Sequence, residues 1–577
     1  MNPYNEKKNN LHEISVDYIT NMIGNISEMK AIILDSETQV IFSLEYSKSL
    51  ALKNEIFLFE NIEKIHPEQK FNLVGIFFLR PTEANIKQLK EVLSSLNFKE
   101  IYIYFTNHLS EDYLTKLAQY DIHSQIKTVQ EVYLDYYVTN SNLFHLNIES
   151  CISNLSFTTF DKWRKYDEAI FNRITDGLIS ICLSNRMFPI IKCVKGSSIC
   201  TMISKKVATF FQDNYDFIRK ECGKEQNGIL FLFDRKEDPV TPLINQWTYQ
   251  AMLHELIGIK NNIVTLKKNE NNSKEEQLVL SDISLVDKFF SEQLNNDYGG
   301  VADEVEKAAE KLKKENSQIN TKNTSIEELR KMIDALPEKK KESMAITKHY
   351  KLFYELSSYV TKHKLMELSP IEQDIACNNN KKDQYNKIVN ILKDTKVSPL
   401  DKAKLYLLYV FRYENDSSID NLKQMMIENS MKEWIEYGDL LLKYCGRDKR
   451  VFDVLSNKDF ISKSKKMFLN AFGNKNNVFM QHVSFLNDLT EKLIKGKLRD
   501  NEIDTVLKGN ENKVNKIIVF GFGGITFEEA KDLTVLGKQF NIPIIIGGTN
   551  ILNSKSFLAE LNLIKNNVSF NDIQNFN

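Results

Sequence analysis

Between Lys30 and about Tyr136 the chain strings together five short apolar runs, KAIILD, EIFLFENI, LVGIFFLRP, EIYIYFTN and IKTVQEVYL, separated by amphipathic segments. This alternation constrains the fold more than any other feature. Short runs without internal polar alternation suit strands buried on both faces, as in a parallel sheet covered by crossover helices. Residues 1–136 are therefore expected to form an α/β domain, with Pro81-Thr82 ending one strand and opening a helix over Glu83 to Leu96.

A second α/β pattern comes in two pieces. NGILFLFDR, Asn227 to Arg235, reads as a strand; KIIVFGFGGITFEEA and IPIIIGGTNILNSKSFLAEL each read as strand, glycine turn and helix. Neither piece has enough strands for a sheet, so the spacing predicts one discontinuous domain, 137–245 with 482–577. The stretch between, 246–481, is nearly strandless and is expected to be mainly helical. Val301, Val305, Ala308 and Leu312 make an apolar stripe at helical spacing. TSIEELRKMIDALP opens with a capping box (Thr324, Glu327) and is expected to stop at Pro337, giving a helical hairpin near 300–345. CNNNKKDQYN reads as a loop.

The chemistry available is limited. With Lys+Arg 76 against Asp+Glu 77 and a net charge of −1, nucleic acid is an unexpected main partner. No apolar run reaches membrane-spanning length and no signal segment opens the chain, so a cytosolic protein is expected. Seven scattered cysteines without a CxxC read as buried hydrophobes in a reducing compartment, and no metal or cofactor is expected. The strand ending ILFLFD is where an α/β sheet could hold a nucleotide, but GxxxxGK[ST] is absent. GFGGIT lacks the GxGxxG spacing and reads better as a tight turn than as an anion site.

The most distinctive stretch is LFDRKEDPVTPLINQWTYQAMLHELIGI, Leu232 to Ile259. Asp234 and Arg235 either edge an active site or make structural hydrogen bonds at a strand end, with Lys236 to Asp238 solvated. Thr241 is placed to cap a long helix with Pro242 at its first position. Ile244, Trp247 and Ala251 lie on one side of that helix and Tyr249, Met252, Leu253, Leu256 and Ile257 on another, a joint buried between two layers.

These residues resemble the signature of the SM proteins, the Sec1-like syntaxin-binding regulators of SNARE-mediated membrane fusion, and in particular their endosomal and trans-Golgi branch. MKAIILDSETQVIFSLEYSKS, IFFLRPTEANI, SPIEQDIAC, NVFMQHVSFLNDLTEKLIKGKL and GGTNILNSKSFL agree in order, so the likeness spans nearly the whole chain. The resemblance implies a three-domain, arch-shaped α/β plus α fold and no enzymatic activity. It implies a Qa-SNARE (syntaxin) as partner, an R-SNARE and the assembled SNARE complex as others, and a membrane reached only through them. It implies an outer pocket for the syntaxin N-terminal peptide at Leu114, Leu117, Ile126 and Val129 with Glu131 at the rim, unless these side chains merely close the domain core. An Arg at Leu117 is then expected to abolish capture without unfolding. It further implies central-cavity contacts at Asp35, Glu60 and Lys64, and R-SNARE docking at Leu336, Pro337 and Tyr350, Pro337 being either a hinge or an ordinary helix stop. The rival readings are an exocytic or ER–Golgi member of the family, or a nucleotide-dependent enzyme.

Overall fold

The computed structural model describes residues 10–24, 26–157, 160–222, 227–266, 275–317, 326–452, 478–509 and 514–566. Its strands, in chain order, are β1 (Lys30–Leu34), β2 (Ile56–Asn61), β3 (Val74–Leu79), β4 (Ile101–Phe105), β5 (Ile126–Glu131), β6 (Tyr137–Asn140) and β7 (Leu143–His145). They continue with β8 (Phe188–Val194), β9 (Asn227–Asp234), β10 (Ile263–Leu266), β11 (Glu276–Val279), β12 (Ile503–Leu507), β13 (Val514–Phe522) and β14 (Ile544–Gly548).

The first sheet has the order β2-β1-β3-β4-β5 and is parallel throughout. Every residue of β1 and β3 is buried, which is why their sequences carry no polar alternation. The helix Glu83–Ser95 follows β3, capped by the Thr82 hydroxyl and ended by Leu96 in the left-handed region at φ 53°. Its Ile86, Leu89, Val92 and Leu93 close one face of the sheet together with Phe77, Phe98 and Phe105.

The second sheet has the order β12-β8-β9-β13-β14-β7-β6 and draws on both ends of the chain. It is not purely parallel. β12 runs antiparallel to β8 at one edge and β6 antiparallel to β7 at the other. Gly547 is required where β14 passes Phe144, since a Cβ there would lie 2.1 Å from the ring.

By backbone contacts the chain divides into two compact units. Both sheets fall in the first, 1–233 with 503–522 and 537–550. The second comprises 234–502, 523–536 and 551–577. Beyond its helices the second unit holds the antiparallel pair β10–β11, which sequence reading missed.

Three expectations about this unit change. The helix Ile326–Lys362 runs on through Pro337 instead of stopping there. It still forms a hairpin with Tyr298–Ser317: Tyr298 bonds Ser357 at 3.0 Å and Lys311 pairs with Glu342 at 3.3 Å, an antiparallel register. The capping-box residue Thr324 lies outside the described residues. The Asn-rich loop shrinks to 378–380, because a helix begins at Lys381.

The long helix expected after Pro242 is also replaced. Thr241–Leu243 is one 3₁₀ turn containing Pro242, and the α-helix begins only at Tyr249, ending at Leu256. The intervening backbone is claimed by tertiary partners. Asn245 N–H donates to Glu372, Tyr298 N–H to the Trp247 carbonyl, and Tyr249 N–H to Asn296. Long-range hydrogen bonds thus override the local helical pattern.

Candidate binding surfaces and buried charge networks

The outer pocket expected on the first sheet centres on the helix Glu111–Tyr120, capped by Ser110, and on β5 beside it. Leu114 is 45% exposed on this helix. Leu117, one turn on, is 2% exposed and belongs to the core with Ile101, Ile103 and Phe105, so an Arg there would break the domain and not only a pocket. Ile126 and Val129 are half-buried and pack on the same core. Glu131 stands partly exposed at the end of β5. Its carboxylate accepts the Leu109 N–H at 2.8 Å and the Tyr133 hydroxyl at 2.6 Å, and lies 3.1 Å from His108 Nδ1. Burial opposes ionisation of Glu131, yet His108, the Leu109 amide and Tyr133 together hold its pKa below the ordinary value. His108 and Tyr133 were missed by sequence reading; the polar run FTNH closing a strand was the available signal.

Asp35, expected to face a cleft, is 8% exposed and fully engaged. It caps the helix Ser36–Glu45 through the N–H groups of Glu37 and Thr38, and accepts Arg80 N–H at 2.8 Å and Asn85 Nδ2 at 2.7 Å. This is the point where strand order reverses between β1 and β3, the usual ligand crevice of such sheets. Here side chains fill it. Arg80 pairs with Asp135 at 2.9 Å and Glu37 at 3.1 Å, while Arg173 reaches Glu37 at 3.2 Å and the Asp135 carbonyl at 2.9 Å. Burial works against the Asp135 charge, but Arg173 and Arg80 hold its carboxyl below the usual range. Glu60 is half-buried and bonds the Asn61 N–H, and Lys64 is exposed on the turn Ile62–Lys64. Beside them the edge strand β2 exposes Phe57 (58%) and Phe59 (39%), which sequence reading overlooked.

In the second unit Tyr350 is 53% exposed on the hairpin helix and Tyr354, one turn on, 70%. Leu336 and Pro337 lie in the same helix backbone, but their side chains lie outside the described residues.

The signature stretch builds two buried networks. Arg235 is wholly buried and uses all five of its N–H donors. Two go to Glu529 at 2.9 and 2.7 Å, two to the Gly524 carbonyl, and one to the Asp238 carbonyl at 3.0 Å. Glu529 also closes a capping box with Thr526 at the start of the helix Phe527–Phe540. The GFGG turn, with Gly523 at φ 85° and Gly524 at φ 93°, therefore ends on a helix N-terminus already occupied by the protein's own carboxylate. Glu237 and Asp238, expected to be solvated, are buried. Glu237 accepts the N–H groups of Val451 and Phe452, and burial lifts its pKa to about 7. Asp238 receives Thr241 Oγ1 and the Phe485 N–H, so Thr241 serves this network and caps no helix. Asp234, buried, caps the 3₁₀ turn Arg235–Glu237 and accepts the Tyr444 hydroxyl.

The second network joins Asn245, Glu372, Lys404, Glu255 and Ser554. Glu372 grips the Asn245 backbone and side chain at 3.0 and 2.9 Å. Lys404 Nζ donates to Asn245 Oδ1 at 2.8 Å and to Glu255 at 3.1 Å, and Glu255 accepts the Ser554 N–H at 2.9 Å. Pro242 is buried in the turn, and Trp247 packs on Tyr298 and Phe479. The whole joint signature therefore holds the second unit's interior together.

Among the described residues no cluster of three His, Cys, Asp or Glu side chains could hold a metal ion, and no helix is long and apolar enough to cross a membrane. Two sheets with these orders, and a discontinuous second sheet interrupted by helices, define a recognisable class. The chain belongs to the Sec1 family, whose model matches residues 30–560. It is 33% identical over 557 residues to human vacuolar protein sorting-associated protein 45, covering 94% of each chain. To the Arabidopsis thaliana homolog of that protein it is 32% identical over 560 residues, covering 94% of this chain and 96% of the relative. The solved complex of the SM protein Vps45 with Qa SNARE Tlg2 (1-310) matches with a TM-score of 0.85 at 28% identity, over 96% of this chain and 98% of that one.

Proposed function

We propose that this chain regulates SNARE-mediated vesicle docking and fusion in endosomal, trans-Golgi and vacuolar protein transport. It binds a Qa-SNARE (syntaxin), assists its pairing with an R-SNARE and stays with the assembled SNARE complex. It works from the cytoplasm, on Golgi and endosomal membranes that it reaches through those partners, by binding and without covalent chemistry. The carrying observation is the likeness over nearly its whole length to Vps45, a protein solved in complex with Qa SNARE Tlg2. In this reading residues 1–136 form the peptide-capturing domain, 137–245 with 482–577 the discontinuous one, and 246–481 the helical one.

The outer pocket is assigned to the syntaxin N-terminal peptide, with Leu114 as the exposed apolar anchor beside Ile126, Val129 and Glu131. Leu114→Arg is expected to weaken peptide binding by about 30-fold, the loss of a hot spot worth ~2 kcal/mol. Its melting curve should match that of the unsubstituted protein. Leu117→Arg should instead unfold the first sheet, because it forces a charge into a closed core. Unchanged peptide affinity in Leu114→Arg removes the pocket assignment.

Phe57, Phe59 and Lys64 are exposed and, with half-buried Glu60 beside them, offer a mixed surface for syntaxin helices. The hairpin helix, through Tyr350 and Tyr354, is assigned to the R-SNARE by helix-against-helix contact. Tyr350→Asp is expected to lower R-SNARE pull-down several-fold, on the order of 1 kcal/mol, while Qa-SNARE binding is kept. Equal recovery of both SNAREs would remove this role. Co-precipitation from cells also separates the branches: an exocytic or ER–Golgi Qa-SNARE in place of an endosomal one would reassign the pathway.

A further inference from the structure

The rim of the outer pocket carries a feature that peptide capture by itself does not require. Glu131 provides a partly exposed charge there, and among the described residues His108 and the Tyr133 phenol are the titratable side chains within hydrogen-bond reach of it. His108 is 51% exposed on the outside, so it exchanges protons freely while its ring stays tethered. It sits just past the end of β4, backed by the Phe210 ring at 5.7 Å from the helix Ser198–Asp213. The hydrogen bond to Glu131 lifts its pKa above the ordinary imidazole value, against partial burial and with further help from the charges of Glu131 and Asp176.

We propose that His108 sets the net charge of the pocket rim, so that a cationic peptide is captured more weakly once the imidazole is protonated. The inference rests on the pocket reading given above. With neutral His108, Glu131 presents a full negative charge that complements a cation. Glu111 and Asp112 in the first turn of the pocket helix add to it, Asp112 being partly offset by Lys116 at 2.6 Å. With the imidazolium form, Glu131 is neutralised internally and the arriving cation meets a competing positive charge. The occupant is thus a short peptide with an apolar side chain for Leu114 and a Lys or Arg for the rim.

The groups facing His108 from neighbouring elements decide whether it acts alone. Glu131 comes from β5. Asp176, from the helix Lys165–Ser184, is lifted to about 6 by burial and by Asp135, and it also titrates in the relevant range. Lys206, from the helix Ser198–Asp213, is bonded to Asn172.

The test uses the full chain and a fluorescein-labelled N-terminal peptide of the same organism's Tlg2-like Qa-SNARE, with a second peptide whose Lys and Arg are replaced by Gln. Binding is read by anisotropy between about pH 6 and about pH 8, the range of histidine titration. The expected result is affinity roughly fivefold weaker at the acid end, of the size a partly exposed charge pair gives. That dependence should vanish in His108→Gln and with the Gln-substituted peptide. A flat profile in the unsubstituted protein, with binding still abolished by Leu114→Arg, overturns the proposal and leaves the pocket intact. A profile that survives His108→Gln but disappears in Asp176→Asn overturns it in favour of the buried carboxyl. Binding unaffected by Leu114→Arg removes the pocket, and the proposal with it.

Discussion

Arg235→Ala is expected to destabilise the second unit by about 3–5 kcal/mol, the usual cost of breaking a buried ion pair from one side. Arg235 and Glu529 are both fully buried, and the guanidinium also satisfies two carbonyls, those of Gly524 and Asp238. Removing it leaves a carboxylate without a counter-charge and two acceptors without donors. Lys should rescue little, because one ammonium cannot reproduce a planar five-donor fork. The double change Arg235→Met with Glu529→Leu should recover most of the loss, since it removes the stranded charge together with its partner. Urea unfolding followed by tryptophan fluorescence reads this, as two of the three tryptophans, Trp247 and Trp434, lie in this unit. If the single variant unfolds at the unsubstituted midpoint, the pair does not stabilise the fold.

Lys404→Met should be comparably severe, at about 3–5 kcal/mol near neutral pH, and should differ from Arg235→Ala in its response to acid. Lys404 is the cation among Glu255, Glu372 and Asp401, and it is buried. Burial already lifts Glu372 from 4.5 to about 7 even with Lys404 present. A carboxyl whose folded pKa is raised gives stability that is fully present below its unfolded value and is lost as pH rises through its folded value. Glu372 alone should therefore cost the protein stability between about pH 4.5 and 7, on the order of 3 kcal/mol at the upper end. Without the ammonium Glu372 rises further, and Glu255, which Lys404 helps to hold below its ordinary value against burial, rises as well, so the defect of Lys404→Met should shrink at about pH 5 and grow at about pH 8. Glu372→Gln should flatten the profile of the otherwise unsubstituted chain. A Lys404→Met defect independent of pH would mean the network carries no charge. Glu237, also lifted to about 7, adds to the same slope.

How far the fold could be read from sequence depended on where each partner lay. β1, β3 and β4 were legible because both faces are buried and apolar residues follow without interruption. β8 was not, since Pro189 and Lys192 break its pattern although every residue is buried. β6 and β7 are buried throughout but only four and three residues long, too short for an apolar run to stand out, and the edge strand β12 is only partly buried.

For the site, the strand-end role of Asp234 and Arg235 was visible. Glu529, 294 residues further along the chain, was not. Spacing placed Leu114 and Leu117 on one helix but could not say which of them points at the sheet. Asp35 illustrates the opposite failure. A lone acid after a strand looks the same whether it faces a cleft or caps a helix. The deciding sign was Thr38, three residues on, which completes its capping box.

The second sheet also governs how the chain can be made. β9 ends at Asp234, and its neighbour on the side away from β8, the central strand β13, begins at Val514. During synthesis at roughly 5–20 residues per second, β9 waits tens of seconds with a bare apolar edge while the helical unit emerges. Such an edge is a template for wrong pairing, and closure over so long a loop is slow. The nascent chain is thus a natural client for chaperones. A message truncated anywhere before β13 would leave the centre of this sheet permanently open.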